Sequence, residues 1–335
     1  MFTAPAHAPA LARWLYTVMV LVVIMVALGG FTRLTESGLS IVEWKLVSGT
    51  LPPLSAQAWE QEFAAYQLTP QFQQVNADFS VGDFQRIFWL EYLHRLLGRI
   101  IGLAVIVPLL VFAARGMLSR PMKRRGLLLA VLVAMQGAVG WIMVASGLES
   151  EPRVAPVKLA LHLSLAFVFF LALIWTYWQV KAVPRGKLRV GAVALFTLIF
   201  VQIVFGALVA GLDAGLTYNT YPLMDGAFIP EGLHRLAPWW KNHLESVLTV
   251  QFQHRMGALA VVLAALAYAY AAWRNTSARR VIYWLLAAVA FQFLLGVATL
   301  LSVVDMWIAV PHQLAALLLL SVAWRITYGF PKHYD

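Results

Sequence analysis

The residues best suited to chemistry are histidines. Eight are present, and four of them, His94, His162, His254 and His312, fall near the start of apolar stretches. His7 and His333 lie in the tails, and His234 and His243 in a polar connection, where a structural or solvated role is expected. A neutral imidazole offers a ring nitrogen to a metal, and two imidazoles from facing helices can fill both axial positions of an iron porphyrin. Zinc also accepts histidine, but its tetrahedral sites use four ligands, and these residues come in twos. One histidine in an apolar stretch can simply hydrogen-bond a neighbouring helix. Four at matched positions argue for ligation, and haem is the favoured group. Cysteine is absent, which removes thiolate ligands and redox-active thiols, so redox chemistry needs a bound cofactor.

The neighbours of these histidines repeat with them. Arg95 follows His94 and Arg255 follows His254. A guanidinium there can fork onto haem propionates or anchor on lipid phosphate. Gly98, Gly102 and Gly257 suit either a flat macrocycle close to the backbone or plain helix packing. Glu91 precedes His94 by three residues, on the same helical face. A carboxylate at that depth is costly and usually functional, although it also stands four residues before Arg95 as a salt-bridge partner. The offset that superposes His94 on His254 sets Glu91 opposite Gln251. Gln cannot ionise, so only the first half has a residue able to act as a base or to balance developing positive charge. Glu91 therefore marks the expected reacting half, and Gln251 the half holding a permanent electron-transfer haem.

The elements that position these residues form two copies of one plan. Gly38-Leu39-Ser40, Leu46, Gly49 and Pro53 recur at a constant offset of 177 as Gly215-Leu216-Thr217, Leu223, Gly226 and Pro230. Gln136 with Gly140 recurs as Gln292 with Gly296, and His162 recurs as His312. Residues 1–180 and 181–335 each hold four apolar spans, an even number, so both halves enter the membrane from the same side and the implied pseudo-twofold axis lies along its normal. The expected fold is all-α and polytopic, two four-helix bundles side by side with a haem-sized site in each.

The composition fits that solvent. The chain is 61% hydrophobic and 12% charged, with a mean hydropathy of +0.75. Runs of about 20 apolar residues, the length needed to cross a bilayer, fall at Trp14–Phe31, Leu96–Ala114, Leu127–Leu148, Val157–Val180, Val190–Leu212, Met256–Trp273, Val281–Val304 and Met306–Trp324, the last two parted by a tight turn at Asp305. The first run has a counterpart after the midpoint, which marks it as a retained span rather than a leader. The tail before Arg13 also lacks the Arg-rich character of a mitochondrial presequence. The net charge of +10 is spread by connection, not gathered into a nucleic-acid patch. Basic residues such as Arg13, Arg115, Arg120, Lys123 to Arg125, Lys181, Arg185, Lys187, Arg189, Arg274, Arg279, Arg280, Arg325 and Lys332 occupy alternate segments, and every acidic residue except Asp335 falls on the other side. The positive-inside rule then puts both termini in the cytoplasm and the four histidines near the outer face. The outer loops, about 34–90 and 213–250, read as ordered caps. Trp59, Phe63 and Tyr66 fall at helical spacing, as in an amphipathic helix on the interface. Asp83 is placed to cap a helix running unbroken into the second span.

Gly29-Gly30-Phe31-Thr32-Arg33-Leu34-Thr35-Glu36-Ser37-Gly38-Leu39-Ser40, Pro52-Pro53 and Glu91-Tyr92-Leu93-His94-Arg95-Leu96-Leu97-Gly98-Arg99 closely resemble the haem A synthase family, as do the four histidines and the eight spans. The resemblance implies oxidation of the C8 methyl group of haem O to the formyl group of haem A, for cytochrome oxidase assembly, in a bacterial inner membrane. It implies that His254 and His312 hold a haem b cofactor, while His94, His162 and Glu91 surround the substrate haem. The first outer loop is similar to the proteobacterial and mitochondrial form. Relatives with a cysteine pair in outer loops use chemistry this cysteine-free chain lacks. Implied partners are haem O, membrane lipid, haem O synthase as a donor, an electron acceptor such as quinone, and further copies of the chain as a homo-oligomer. Two other classes compete. A dihaem cytochrome relaying electrons from quinone across the membrane would want histidines at both leaflets, yet all four lie near one side. A transporter would want polar residues at mid-membrane, and no run of them stands out.

Overall fold

Helix-start signals and apolar length account for most of the architecture. The computed structural model describes residues 7–45, 48–149, 151–186, 190–273 and 278–329. Leu46, Lys187, Arg189, Arg274, Lys332, His333 and Asp335, used above, lie outside the described residues. Helix α1 spans Ala8–Leu34. The connection that follows carries α2 (Ala56–Gln67) and α3 (Pro70–Gln74). Helices α4 (Val81–Ala114), α5 (Arg120–Ala145) and α6 (Pro156–Val180) complete the first half. The second half has α7 (Val190–Gly211), the short α8 (Asn242–Glu245), α9 (Val247–Ala272), α10 (Arg279–Leu301) and α11 (Met306–Thr327). Eight of these helices are long and apolar enough to cross a membrane. Among the described residues there is no strand, only an isolated antiparallel bridge between Met224 and Ala227.

Caps fix several starts. Ser119 and Ser246 accept hydrogen bonds from backbone amides inside α5 and α9, supplying partners to donors the helix cannot satisfy. Pro121 and Pro156 sit in the first turns of α5 and α6, where a missing N–H costs nothing. The Asp83 expectation holds in full. Ser80 and Asp83 form a reciprocal capping box, and α4 runs 34 residues, more than a bilayer needs.

The chain divides into two compact units, residues 1–181 and 182–335. In the first, α1 and α5 each pack on α4 and α6; in the second, α7 and α10 each pack on α9 and α11. Each unit is thus a ring of four helices in which the two histidine-bearing helices stand diagonally. Large apolar side chains on the span surfaces, among them Leu103, Leu110, Leu263 and Leu294, remain exposed. Lipid chains are their natural solvent, because a bilayer gives no reason to turn leucine inward.

Two details sharpen the sequence reading. Helix α2 has its aromatic stripe where expected, and of the two uses open to such a stripe, packing and an interfacial role, the structure shows packing against protein. Trp59, Phe63 and Tyr66 pack on Phe84 and Phe88 of α4, with Tyr66 and Phe84 fully buried and ring centroids 4.9 Å apart for Trp59–Phe88 and 5.2 Å for Tyr66–Phe84. The reason is the projecting start of α4, whose apolar face needs a cover. The Tyr66 hydroxyl donates to Gln71 and accepts from Asn76, so its burial leaves no polar atom stranded. The turn between α10 and α11 begins at Ser302, ahead of Asp305, because Val303 and Val304 adopt left-handed φ of 54° and 61°. Hydropathy continues through both valines, which hides the turn. Replacing Phe84 with Ala should cost about 3–5 kcal/mol in the α2–α4 layer. Limited proteolysis should then cleave residues 56–74 faster while the helical circular dichroism of the spans persists.

Candidate functional site

The four histidines share a local arrangement that spacing alone does not reveal. Each imidazole rests on a glycine of an adjoining helix. A Cβ added at Gly140 of α5 would fall 2.9 Å from His162 Cε1, one at Gly206 of α7 2.9 Å from His254 Cε1, one at Gly296 of α10 3.0 Å from His312 Cε1, and one at Gly29 of α1 3.4 Å from His94 Nε2. At the first three a side chain would push the ring away, whereas at Gly29 it would only touch it. His94 and His162 lie close enough to interact electrostatically, as do His254 and His312.

Glutamines one turn before three of these glycines hold the rings in place. Gln136 Nε2 lies 3.3 Å from His162 Nδ1 and donates to the His162 carbonyl at 3.1 Å. Gln202 Nε2 lies 3.0 Å from His254 Nδ1 and donates to the His254 carbonyl at 2.7 Å. Gln292 Nε2 is 3.5 Å from His312 Nε2. The side-chain oxygens of all three glutamines, and His312 Nδ1, are buried with no hydrogen-bond partner. Buried polar atoms rarely go unpaired. A ring nitrogen bound to iron leaves the other carrying a proton that needs an acceptor; the amide nitrogens face the rings here, and a half-turn of each amide would present its oxygen in their place. Among the described residues no three of His, Asp and Glu gather as a metal cluster, whereas a porphyrin iron asks for two imidazoles. The residues present fit a haem.

Glu91 and Arg95 are brought together, but as part of a clamp. Glu91 is 2% exposed. One of its oxygens accepts from Ser40 Oγ at 2.7 Å and the Ile41 amide at 2.8 Å, and the other from Arg95 Nε at 3.0 Å and Nη2 at 2.7 Å. Arg95 also donates to the carbonyls of Ile41 and Glu43. Gln251 and Arg255 repeat the device. Gln251 Nε2 donates to the carbonyls of Ala214 and Thr217, and its oxygen accepts from Arg255, which reaches the carbonyls of Tyr218, Thr220 and Leu223. Both arginines thus give their terminal guanidinium nitrogens to loop carbonyls, while Arg95 Nε goes to Glu91 and Arg255 Nε stays buried without a partner. Beyond the clamp, Lys45 pairs with Glu43 at 2.8 Å and Glu62 at 3.3 Å. The hydrogen bond to Glu43 holds its ammonium above the ordinary value.

Other placements refine the expectations. His162, His254 and His312 lie early in α6, α9 and α11, but His94 lies much deeper in its helix, because α4 starts ahead of the apolar run. Gly98 faces Met25 Cε at 3.6 Å, Gly102 faces open space, and Gly257 faces Gln202. His243 binds the Gln253 side chain. His7 precedes α1, and its carbonyl accepts from Ala10 and Leu11. Gly29, Gly206 and Gln202 escaped the sequence reading, although the offset of 177 that relates the loops also carries Gly29 onto Gly206.

This fold and site define a class, polytopic α-helical membrane proteins in which paired histidines face one another across four-helix rings. Residues 12–324 match the family described as cytochrome oxidase assembly protein, COX15-CtaA. Heme A synthase of Bradyrhizobium diazoefficiens is 50% identical over 319 residues, covering 92% of this chain and 88% of that protein. Heme A synthase of Rhodopseudomonas palustris strain BisA53 is 50% identical over 317 residues, covering 92% and 88%. That of Parvibaculum lavamentivorans is 46% identical over 326 residues, covering 96% and 94%. The chain belongs to the haem A synthase family of cytochrome oxidase assembly proteins.

If the glycine contacts seat the rings, Gly206→Ala and Gly296→Ala should each lower the haem that co-purifies with the protein, measured as pyridine haemochrome per polypeptide. Gly137→Ala should not, since an added methyl there meets nothing within 4 Å.

Proposed function

We propose that this chain is a haem A synthase, oxidising the C8 methyl group of haem O to the formyl group of haem A for cytochrome oxidase assembly. The observation that carries this reading is the pair of histidines set diagonally in each four-helix ring, in a chain about half identical to proteins named Heme A synthase. The proposed setting is a bacterial inner membrane, with both sites toward the periplasm. Charge asymmetry supports that orientation.

We assign His254 and His312 to a haem b cofactor, and His94 and His162 to the iron of the substrate haem. With water as the proposed oxygen source, methyl to formyl (R–CH3 + H2O → R–CHO + 4 H+ + 4 e−) releases four electrons and four protons, which two quinones would take up, so the reacting half needs an electron route. A haem b in the second unit would supply one-electron transfer, with quinone as the acceptor. This chain's own residues orient the groups. Gln202 and Gln292 fix the second-unit imidazoles, and Gln136 fixes His162. Glu91 keeps a negative charge one turn from His94 and pins residues 40–43 above it. Its oxygens already accept from Ser40, Ile41 and Arg95, so its proposed contribution includes positioning the loop over the first-unit site.

The direct test is expression in a host that makes haem O but not haem A, followed by chromatography of the extracted haems. Haem A should appear only with this chain; bound haem b without haem A would point instead to an electron-transfer cytochrome. His254→Ala or His312→Ala should remove low-spin haem b absorption while the first unit still binds porphyrin. Glu91→Gln should keep haem b and the fold while haem A formation falls by about 100-fold, the span of a positioned acid or base. Amide exchange at residues 40–45 should quicken in the same variant, because one side-chain oxygen cannot replace two. Wild-type haem A formation would reduce Glu91 to a partner for Arg95.

A further inference from the structure

Three of the four histidines have a glutamine beside them, and on the helix that seats the fourth the matching position is a methionine. Helices α5, α7 and α10 carry the pairs Gln136–Gly140, Gln202–Gly206 and Gln292–Gly296, with the glycine under the ring and the amide one turn earlier. Helix α1 carries Met25–Gly29 in the same register. The offset of 177 that superposes Gly29 on Gly206 also superposes Met25 on Gln202. Their surroundings agree. Met25 Cε lies 3.6 Å from a Cβ placed at Gly98, four residues after His94, and Gln202 Oε1 lies against a Cβ placed at Gly257, three residues after His254. Each side chain meets its histidine helix within the turn that follows the histidine, one with an amide and the other with a thioether.

The difference bears on ligand strength. A ligating imidazole held through its second nitrogen keeps its ring plane and tautomer and is the more basic donor; removing such a partner typically costs 10–100-fold in metal affinity. An amide oxygen is a full acceptor, whereas a thioether sulfur is a weak one on a flexible chain. Gln136, Gln202 and Gln292 each reach a ring nitrogen of His162, His254 or His312 through Nε2, and each carries a buried, unpaired oxygen that a half-turn of the amide would bring to the ring instead. The α1 position that corresponds to Gln202 carries a thioether in place of the amide.

We propose that Met25 makes the first-unit haem site the exchangeable one. It leaves His94 as the least firmly held ligand of the four, so a porphyrin bound between His94 and His162 enters and leaves faster than one bound between His254 and His312. The inference rests on the reading of the first unit as the substrate site, and it gives a physical reason why one of two similar rings turns over its haem while the other keeps it. Met25 acts through His94 and is a positioning residue.

The test is haem transfer from the full-length protein, loaded with iron protoporphyrin IX in detergent, to excess apomyoglobin, followed by absorbance. Wild type should release haem in a fast and a slow phase, and His254→Ala should abolish the slow one. Met25→Gln should slow the fast phase by about 10–100-fold, while Met25→Leu leaves it fast. Gln202→Met should speed the slow phase by a similar factor, which keeps the test open if the α1 variant misfolds. An unchanged fast phase in folded Met25→Gln, or an unchanged slow phase in Gln202→Met, overturns the proposal. Because transfer is read without turnover, the shifts expected here combined with no haem A in the expression assay would overturn the function and leave the exchange asymmetry standing.

Discussion

The Cε1 edge of an imidazole can press this closely on a neighbouring helix only where that helix has no Cβ, and this contact constrains the rest of the molecule. Gly140, Gly206 and Gly296 leave about 3 Å between an added Cβ and the histidine ring, so the helices bearing them approach as closely as backbone allows. That approach ties α5 to α6, α7 to α9 and α10 to α11, while Gly29 ties α1 to α4. Once neighbours are fixed in this way, the histidine helices are left diagonal, and their imidazoles point across the ring. Small residues are a common means of helix association in lipid, where no hydrophobic force drives spans together. Here the same residues also aim the ligands.

The long connections are held by a second device, and it too is built twice. A side chain on the histidine helix, Glu91 or Gln251, binds the connection one turn before the ligand, and the following arginine gathers loop carbonyls. Tyr92 and Arg99 extend the first clamp to the carbonyls of Thr50 and Lys45. The Glu91–Arg95 pair is almost without solvent, and a buried pair of this kind stabilises little in net terms yet is costly to break, about 3–5 kcal/mol when one partner is removed. Its value is therefore specificity: it sets which loop segment covers the histidine. The second clamp reaches a similar geometry with a neutral amide, so a loop can be held there without a buried carboxylate. The charge at Glu91 is a choice that holding the loop does not by itself explain.

Much of this was legible in the residues. Eight spans follow from apolar length, and the loop repeat with its histidines follows from a constant offset. The capping box at Ser80 was visible through Asp83, and the aromatic stripe of α2 through its spacing. What covers that stripe was not visible, because the same amphipathic pattern suits a lipid interface and an aromatic face such as that of Phe84 and Phe88. The turn at Val303 and Val304 was hidden by residues that read as continued span. The clamps were hidden for a different reason: their acceptors are backbone carbonyls, which every residue has. Gln202 sits in an uninterrupted apolar helix, where one polar residue reads as tolerated noise until its ring partner is known.

Duplication explains why the two rings are alike, and it makes the few departures informative. Two rings with identical ligands and identical second partners would hold haem with equal strength, and an enzyme cannot keep a cofactor and release a product with the same affinity. The departures fall where that conflict has to be resolved. In the first unit the amide beside the ligand is replaced by Met25, and the amide one turn ahead of it is replaced by Glu91. One change alters how firmly the imidazole is held, and the other alters the charge beside it. The helix contacts that define the ring stay as they are, since Gly29 and Gly206 keep their places under His94 and His254. On the proposed assignment of the two units, function diverges through the residues behind the histidines, without disturbing the helix contacts that seat the rings.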